Sequence, residues 1–230
     1  RGNYPFLFFL FIILLRNRKE HLVFFTLSLI FVIYPQYARV SYVDVGQGDA
    51  SIVSLPFNRK HYLIDTGRKF AYPQLKKNLK HHGIFALDYL ILSHDDLDHV
   101  ENKERIISDF QVKNIVDKKT QKVQFAQQHL VDYEFADENE NSLILSFSIH
   151  GNNYLFLGDA SKRQEKLLVK EIEKINFLKL AHHGSKTSSS DELLSLESIK
   201  LGIISSDPRI YKHPSPEVMR SLYNYSILPL

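Results

Sequence analysis

Ser93-His94-Asp95-Asp96-Leu97-Asp98-His99 follows directly on an apolar run, Leu87 to Leu92, and five of its seven residues carry an imidazole or a carboxylate. Side chains alternate along a strand, and the chain has to turn where the strand gives out. A turn over 94–99 therefore gathers two imidazoles and two or three carboxylates into one small volume. Carboxylates packed together repel and raise each other's pKa, so this density of Lewis bases calls for a cation. The sequence contains no cysteine, which excludes disulfides, thiolate metal sites and cysteine nucleophiles. Any metal must be held by His, Asp, Glu or Asn, a donor set that favours harder ions.

Working outward, the 230 residues are 44% hydrophobic and 24% charged, enough to bury a real core in one or at most two domains. The net charge of +3 permits an anionic substrate or membrane surface without demanding either. Upstream lie two apolar runs, Tyr4 to Leu15 and Leu22 to Tyr34, separated by Arg16-Asn17-Arg18-Lys19-Glu20-His21. Each is shorter than the ~20 residues that span a bilayer, a length shared by core helices and signal-peptide cores. Neither run, however, shows polar residues at helical spacing, and Tyr4, Tyr34 and Tyr37 sit at the outer ends as interfacial anchors would. Residues 1–36 are accordingly read as membrane segments, one or two transmembrane helices. If both runs span, the loop bearing Arg16, Arg18 and Lys19 faces the cytoplasm and the remainder lies outside. The opening residue, Arg1, reads as the start of an interior piece of a longer protein.

Past Pro35 the pattern changes to short alternating segments. Strands are expected over 38–45, 50–55, 59–64, 87–92, 112–116, 142–149, 153–157, 177–180 and 201–205, and helices over 72–82, 104–110, 161–172, 191–196 and 216–223. Residues 117–140 are polar and carry no clear period. Strands interleaved with helices in this order suggest an α/β domain over 38–230 built from two sheets with helices outside. Asp44, Asp65, His94, Asp159, His183 and His213 all fall at or just beyond expected strand ends, where an open sheet presents its ligand site. Taken singly, Asp159 reads equally well as a helix cap. Asp44 and Asp49 read equally as stabilisers of the Gly46–Gly48 turn. Lys76, Lys77 and Lys80 read as a solvated helix face in preference to a DNA track.

Taken together, Asp44-Val45-Gly46-Gln47-Gly48-Asp49, Asp65-Thr66-Gly67, His94-x-Asp96-x-Asp98-His99, Gly158-Asp159, His182-His183-Gly184-Ser185 and His213-Pro214 resemble, in identity and order, the metallo-β-lactamase-like domain of the ComEC family of DNA-internalisation competence proteins. The resemblance covers about residues 40 to 224, and the preceding apolar runs resemble the end of that family's membrane domain. It implies an αββα sandwich with a dinuclear metal site. By motif position His94 and Asp96 would hold one ion, Asp98 and His99 the other, Asp159 would bridge, and His213 would complete the second site. His183 would either ligate or orient the scissile phosphate. Asp98 and His183 are then the catalytic candidates, His182, Ser185 and Lys186 the substrate-binding ones, and Asp44, Asp49 and Asp65 supporting. Asp96 stands where the wider superfamily carries histidine, which moves preference from Zn²⁺ toward Mn²⁺ or Mg²⁺; two ions, Mn²⁺ or Zn²⁺ with Mg²⁺ as a further candidate, are expected.

The implied function is a metal-dependent nuclease of a multi-pass membrane channel, with the hydrolase domain extracytoplasmic and acting on the DNA strand that is not imported. DNA, the membrane and the other uptake components would be its partners. Lys186, Thr187 and Ser188-Ser189-Ser190 are expected to meet backbone phosphates. The alternatives are a non-catalytic DNA-guiding or structural module and a metallohydrolase of a small ester or phosphate. Two departures stand out. Val100-Glu101-Asn102 replaces the family's apolar residue and two glycines, so the side chains at 101 and 102 are expected to crowd the site. The chain ends at Leu230, before the closing strands expected of the fold, so a C-terminal truncation is expected.

Overall fold

The computed structural model describes residues 17–33, 37–117, 127–129, 142–172 and 174–230. One sheet consists of β1 (Arg39–Tyr42), β2 (Ser51–Ser54), β3 (His61–Ile64), β4 (Ala86–Ile91) and β5 (Gln111–Val116), paired in chain order. The first three strands run antiparallel and the last three parallel. The second sheet contains β6 (Gln127–His129), β7 (Ile144–Ile149), β8 (Asn152–Phe156), β9 (Phe177–Lys179), β10 (Leu201–Ile203) and β11 (Leu228–Pro229), again paired in sequence. Its first three strands are antiparallel, and β8 through β11 are parallel. In each sheet a meander thus leads into a parallel run, and the carboxyl ends of the parallel strands are where the chain can build a site.

Strand alternation divides the core into three layers. Ile52, Leu63, Leu87 and Leu90 face α2 (Tyr72–His81) and α4 (Lys103–Asp109), meeting Leu75, Leu79 and Ile106. On the opposite faces Val53, Tyr62, Ile64 and Ile91 meet Leu145, Phe147 and Phe156 of the second sheet. Beyond that sheet Ile144, Leu155 and Leu178 pack with Leu168, Leu193, Val218 and Leu222. These last belong to α5 (Lys162–Leu168), α6 (Asp191–Leu194) and α8 (Pro216–Asn224). The order is helix, sheet, sheet, helix, as the resemblance implied. Buried Leu75 and Leu79 leave Lys77 and Lys80 of α2 exposed, in keeping with a solvated face.

Several expectations change. The 94–99 stretch contains a short helix, α3 (Leu97–Val100), directly after the turn. A further helix, α7 (Pro208–Tyr211), opens on Pro208 behind Asp207, whose Oδ1 accepts from Arg209 N. The cap of α5 is Ser161, whose N–H donates to Gln164 Oε1 at 3.0 Å, so Asp159 is not needed there. Residues 117–140 contribute β6 among the described residues, and β11 pairs along the outer edge of β10.

Upstream, the segment read as a charged loop starts a helix instead. Asn17 Oδ1 accepts from Lys19 N and Glu20 N, which caps α1 (Arg18–Ile33) and draws Arg18 and Lys19 into its first turn. At 16 residues this helix is about 24 Å long, short of the ~30 Å bilayer core. No helix among the described residues is long and apolar enough to cross a membrane. The run from Tyr4 to Leu15 lies outside the described residues.

Candidate metal centre

Four strand ends deliver the cluster. At the end of β3, Asp65 takes a left-handed backbone (φ 59°) and accepts from Ser93 N and Ser93 Oγ, both at 2.8 Å. Its Oδ2 also lies 2.9 Å from His99 Nδ1. That carboxylate fixes a proton of His99 on Nδ1 and turns Nε2 toward Asp159 Oδ1, 3.2 Å away. Ser93 Oγ spends its hydrogen on Asp65 and so accepts from His94 Nδ1 at 2.9 Å. His94 Nε2 then faces Asp96 Oδ2 and Asp159 Oδ2, each at 3.7 Å. After β9, His183 donates from Nδ1 to the Ser205 carbonyl at 2.8 Å. Its Nε2 is turned to Asp98 Oδ2 at 3.4 Å and Asp159 Oδ1 at 3.8 Å.

Three imidazole Nε2 atoms, of His94, His99 and His183, are thus buried without a hydrogen-bond partner around Asp159, whose Oδ1 is likewise unpartnered. A buried polar atom left this way costs free energy unless something occupies the space it faces. Among the described residues, His94, His99 and Asp159 form one group able to hold a metal, and Asp49, His99 and His183 another, with ligand atoms all within 4.8 Å of one another. Bonds of about 2.1 Å to a central ion put neighbouring ligand atoms roughly 3 to 4 Å apart, so the donors present fit divalent ions. Burial opposes ionisation of Asp159, yet the His99 imidazole beside it holds its carboxyl well below the usual range. Burial likewise opposes a charge on His183, but the carboxylates of Asp49 and Asp98 at 3.6 and 3.4 Å push it up to about 9.

The turn over 46–49 closes one flank. Asp49 N donates to the Asp98 carbonyl at 3.1 Å, and a Cβ at Gly48 (φ 134°) would stand 2.3 Å from that oxygen. Only glycine lets the two backbones meet here. Asp44 is exposed and accepts from Gly46 N at 3.0 Å, which makes it a turn stabiliser. Asp49 is buried and paired with the buried Lys179, whose Nζ lies 2.6 and 2.8 Å from its two oxygens.

Other expected positions move. His183 stands beside Asp98 and His99, and His213, whose Nδ1 is buried without a partner, lines the same cleft. Left-handed backbone at both His182 (φ 49°) and His183 (φ 54°) folds this pair inward, whereas His213 follows left-handed Lys212 along the rim of the cleft. His182 Nε2 lies 3.9 Å from Asp159 Oδ2, and its ring centroid is 6.0 Å from that of His213. Ser185 is buried with its hydroxyl on Thr187, Lys186 is exposed, and neither lines the cleft. Ser188, Ser189 and Ser190 are buried rather than phosphate-facing. The Ser188 hydroxyl donates to the Ala181 and Ser185 carbonyls, and Ser189 N and Ser190 N donate to Glu165.

Nor do residues 101 and 102 crowd the centre. Asn102 turns beneath it, with Nδ2 donating to the Thr66, Gly67 and Arg68 carbonyls, and Glu101 accepts from Lys69 N. The two N–H donors of this amide, shared among three carbonyls, hold the Asp-Thr-Gly loop as a glycine could not. The cleft above the cluster encloses about 350 Å³ and is lined by Gln47, Arg68, Leu97 and Tyr211 besides the charged residues named. Arg68, Tyr211 and Lys179 carried no motif in the sequence, and Gln47 entered only within the Asp44–Asp49 motif. The one signal was a lysine placed among apolar residues in Phe177-Leu178-Lys179-Leu180.

The Asp65 contacts give a direct expectation. Asp65→Asn removes the charge that fixes the His99 ring, and divalent-metal affinity should fall about 10- to 100-fold in a competition titration; unchanged affinity would show that Asp65 does not orient the ligand.

Among curated proteins, the chain is 30% identical to ComE operon protein 3 of Bacillus subtilis, covering 88% of this chain and 33% of that protein. It is 31% identical to Competence protein ComA of Neisseria gonorrhoeae, covering 83% and 30% respectively. The chain belongs to the ComEC family. This ComEC-family chain spans a quarter to a third of the length of the curated relatives it matches. No protein-family model matches it. Among solved structures, CmlA, a diiron β-hydroxylase from Streptomyces venezuelae, superposes with a TM-score of 0.57 at 10% identity, over 85% of this chain and 52% of that one. A protein of Thermotoga maritima described as a Zn-dependent hydrolase of the metallo-β-lactamase superfamily gives 0.51 at 16% identity, over 82% and 87%. These likenesses establish the metallo-β-lactamase fold of the ComEC-family chain.

Proposed function

We propose that the chain is the metal-dependent hydrolase domain of a DNA-uptake protein and cleaves phosphodiesters of the strand that is not imported. The observation that carries this reading is the set of three imidazole nitrogens without a hydrogen-bond partner around Asp159, which with His183 lines an open cleft. His94, Asp96 and Asp159 would hold one ion, and Asp98, His99, His183 and Asp159 the other, with Mn²⁺ or Zn²⁺ suited to these donors. Divalent ions held by these residues would supply water of lowered pKa and charge to offset that on the attacking and leaving oxygens of a phosphodiester. His182, partly exposed between Asp159 and His213, is placed to pass a proton to the departing oxygen. His213 and Arg68 line the cleft where the substrate enters. Within a longer membrane protein the domain would lie on the extracytoplasmic side, a placement that protease accessibility on intact cells tests.

The decisive experiment is metal analysis of the purified chain coupled to DNA cleavage with Mn²⁺, Zn²⁺ and Mg²⁺. Stoichiometric metal and metal-dependent cleavage are expected. Metal-loaded protein that binds DNA without cutting it would favour a guiding module, and turnover of small phosphate esters alone would favour the third reading. Cleavage that survives complete metal removal would overturn the proposal.

A further inference from the structure

The rim of the cleft carries an aromatic side chain that the hydrolase reading leaves unused. Tyr211 ends the four-residue helix α7 and is 54% exposed, although its backbone is firmly set. Asp207, which caps α7, donates its own N–H to Gln47 Oε1 at 3.2 Å, and Lys212 closes the helix in a left-handed conformation. Arg68 reaches over from the Asp65-Thr66-Gly67 loop. Its Nη2 donates to the Tyr211 hydroxyl at 3.2 Å, and its guanidinium carbon lies 5.7 Å from the ring centroid. The same Nη2 is 3.9 Å from Asp98 Oδ2, while Arg68 Nε is buried without a partner.

From Tyr211 the rings continue inward. The His213 ring lies 6.1 Å from Tyr211, the His182 ring 6.0 Å from His213, and His182 Nε2 3.9 Å from Asp159. One wall of the cleft is therefore a row of rings running from solvent to the metal-binding residues, with a guanidinium beside it. Aromatic faces and a cationic guanidinium along a groove suit a nucleic acid whose bases are free to stack and whose phosphates carry negative charge. In a duplex those base faces are covered by their neighbours and must be exposed before they can stack on a side chain.

We infer that Tyr211, held by Arg68, is a stacking platform for the base adjoining the scissile phosphate, and that the substrate class is single-stranded nucleic acid. This rests on the phosphodiesterase reading above. The test uses the metal-loaded chain and measures affinity for three probes: a nuclease-resistant oligodeoxythymidine, an abasic oligomer with the same backbone, and a duplex of the same length. Metal content is determined for every variant. Tyr211→Ala should weaken oligodeoxythymidine binding roughly five- to a hundredfold and leave the abasic oligomer unaffected, whereas Tyr211→Phe keeps the ring and the affinity. Arg68→Ala should weaken both single strands and flatten the salt dependence. Equal binding of the abasic and base-bearing oligomers by the wild type, loss of both alike in Tyr211→Ala, or tighter binding of the duplex overturns the inference. A wild type that holds no metal would sink the hydrolase reading, whereas base-independent binding at full metal content would sink the platform alone.

Discussion

Asp159→Ala should lose divalent metal and, with it, hydrolysis, by more than the 10- to 100-fold that follows from losing a residue behind a ligand. The reason lies in how its carboxylate is shared. Oδ1 faces His99 at 3.2 Å and His183 at 3.8 Å, and Oδ2 faces His94 at 3.7 Å and His182 at 3.9 Å. Removing it therefore takes a carboxylate from both of the proposed ion sites at once. The backbone should not follow, because Asp159 N is held by Ser142 Oγ. Gly158 (φ 54°) keeps its turn, where a Cβ would meet Ser142 Cβ at 2.9 Å. In the wild type the imidazoles must shed protons to bind an ion. With His183 held up at about 9 in the metal-free chain, metal affinity should rise with pH through the neutral range. Calorimetric titration at several pH values, beside circular dichroism of the variant, checks both. Retention of stoichiometric metal by folded Asp159→Ala would refute the arrangement.

Lys179→Met should destabilise the metal-free fold by about 3–5 kcal/mol, the usual consequence of removing one partner of a buried ion pair. Lys179 and Asp49 are 2% and 6% exposed, and the ammonium lies 2.6 and 2.8 Å from the two carboxylate oxygens. Burial alone would raise the Asp49 pKa, but the neighbouring Lys179 overcomes this and holds the carboxyl far below its usual range. Without the ammonium that charge is left between the sheets, near Ser51 and Ser93. Denaturant unfolding of the single variant, and of Lys179→Met combined with Asp49→Leu, separates the pair from its parts. The double variant should regain most of the loss, since apolar replacement of both partners avoids the stranded charge. A single-variant loss below about 1 kcal/mol would place the pair among weakly contributing surface bridges.

The contrast between these two predictions shows what the sequence makes legible. His94, His99 and Asp159 belong to motifs that sit at strand ends, and strand ends can be read from alternation. The layered fold follows from the same alternation, visible in Ile52 against Val53 and Leu63 against Ile64. Lys179 meets Asp49 across 130 residues of chain, and its place among the apolar residues of Phe177–Leu180 marks burial without naming the partner. Arg68 and Tyr211 are separated by 143 residues and come from the loop after β3 and the end of α7. The placing of His183 beside Asp98 depends on two successive left-handed residues that are not glycine, a conformation that residue type does not announce. Asn102 and the 188–190 serines mislead for one reason. A polar side chain reads as facing substrate until its backbone partners are known, and here those partners lie within the fold.

The donors around Asp159 come from both halves of the sandwich. His94 and His99 follow β4 of the first sheet, and Asp159 and His183 follow β8 and β9 of the second. An ion held between them would tie together points nearly 90 residues apart, doing for this cysteine-free chain what a disulfide cross-link does elsewhere. Because only the folded chain assembles the ligands, free metal at about a thousand times its dissociation constant adds about 4 kcal/mol to stability. Metal supply would then govern how long the domain survives as well as whether it cuts.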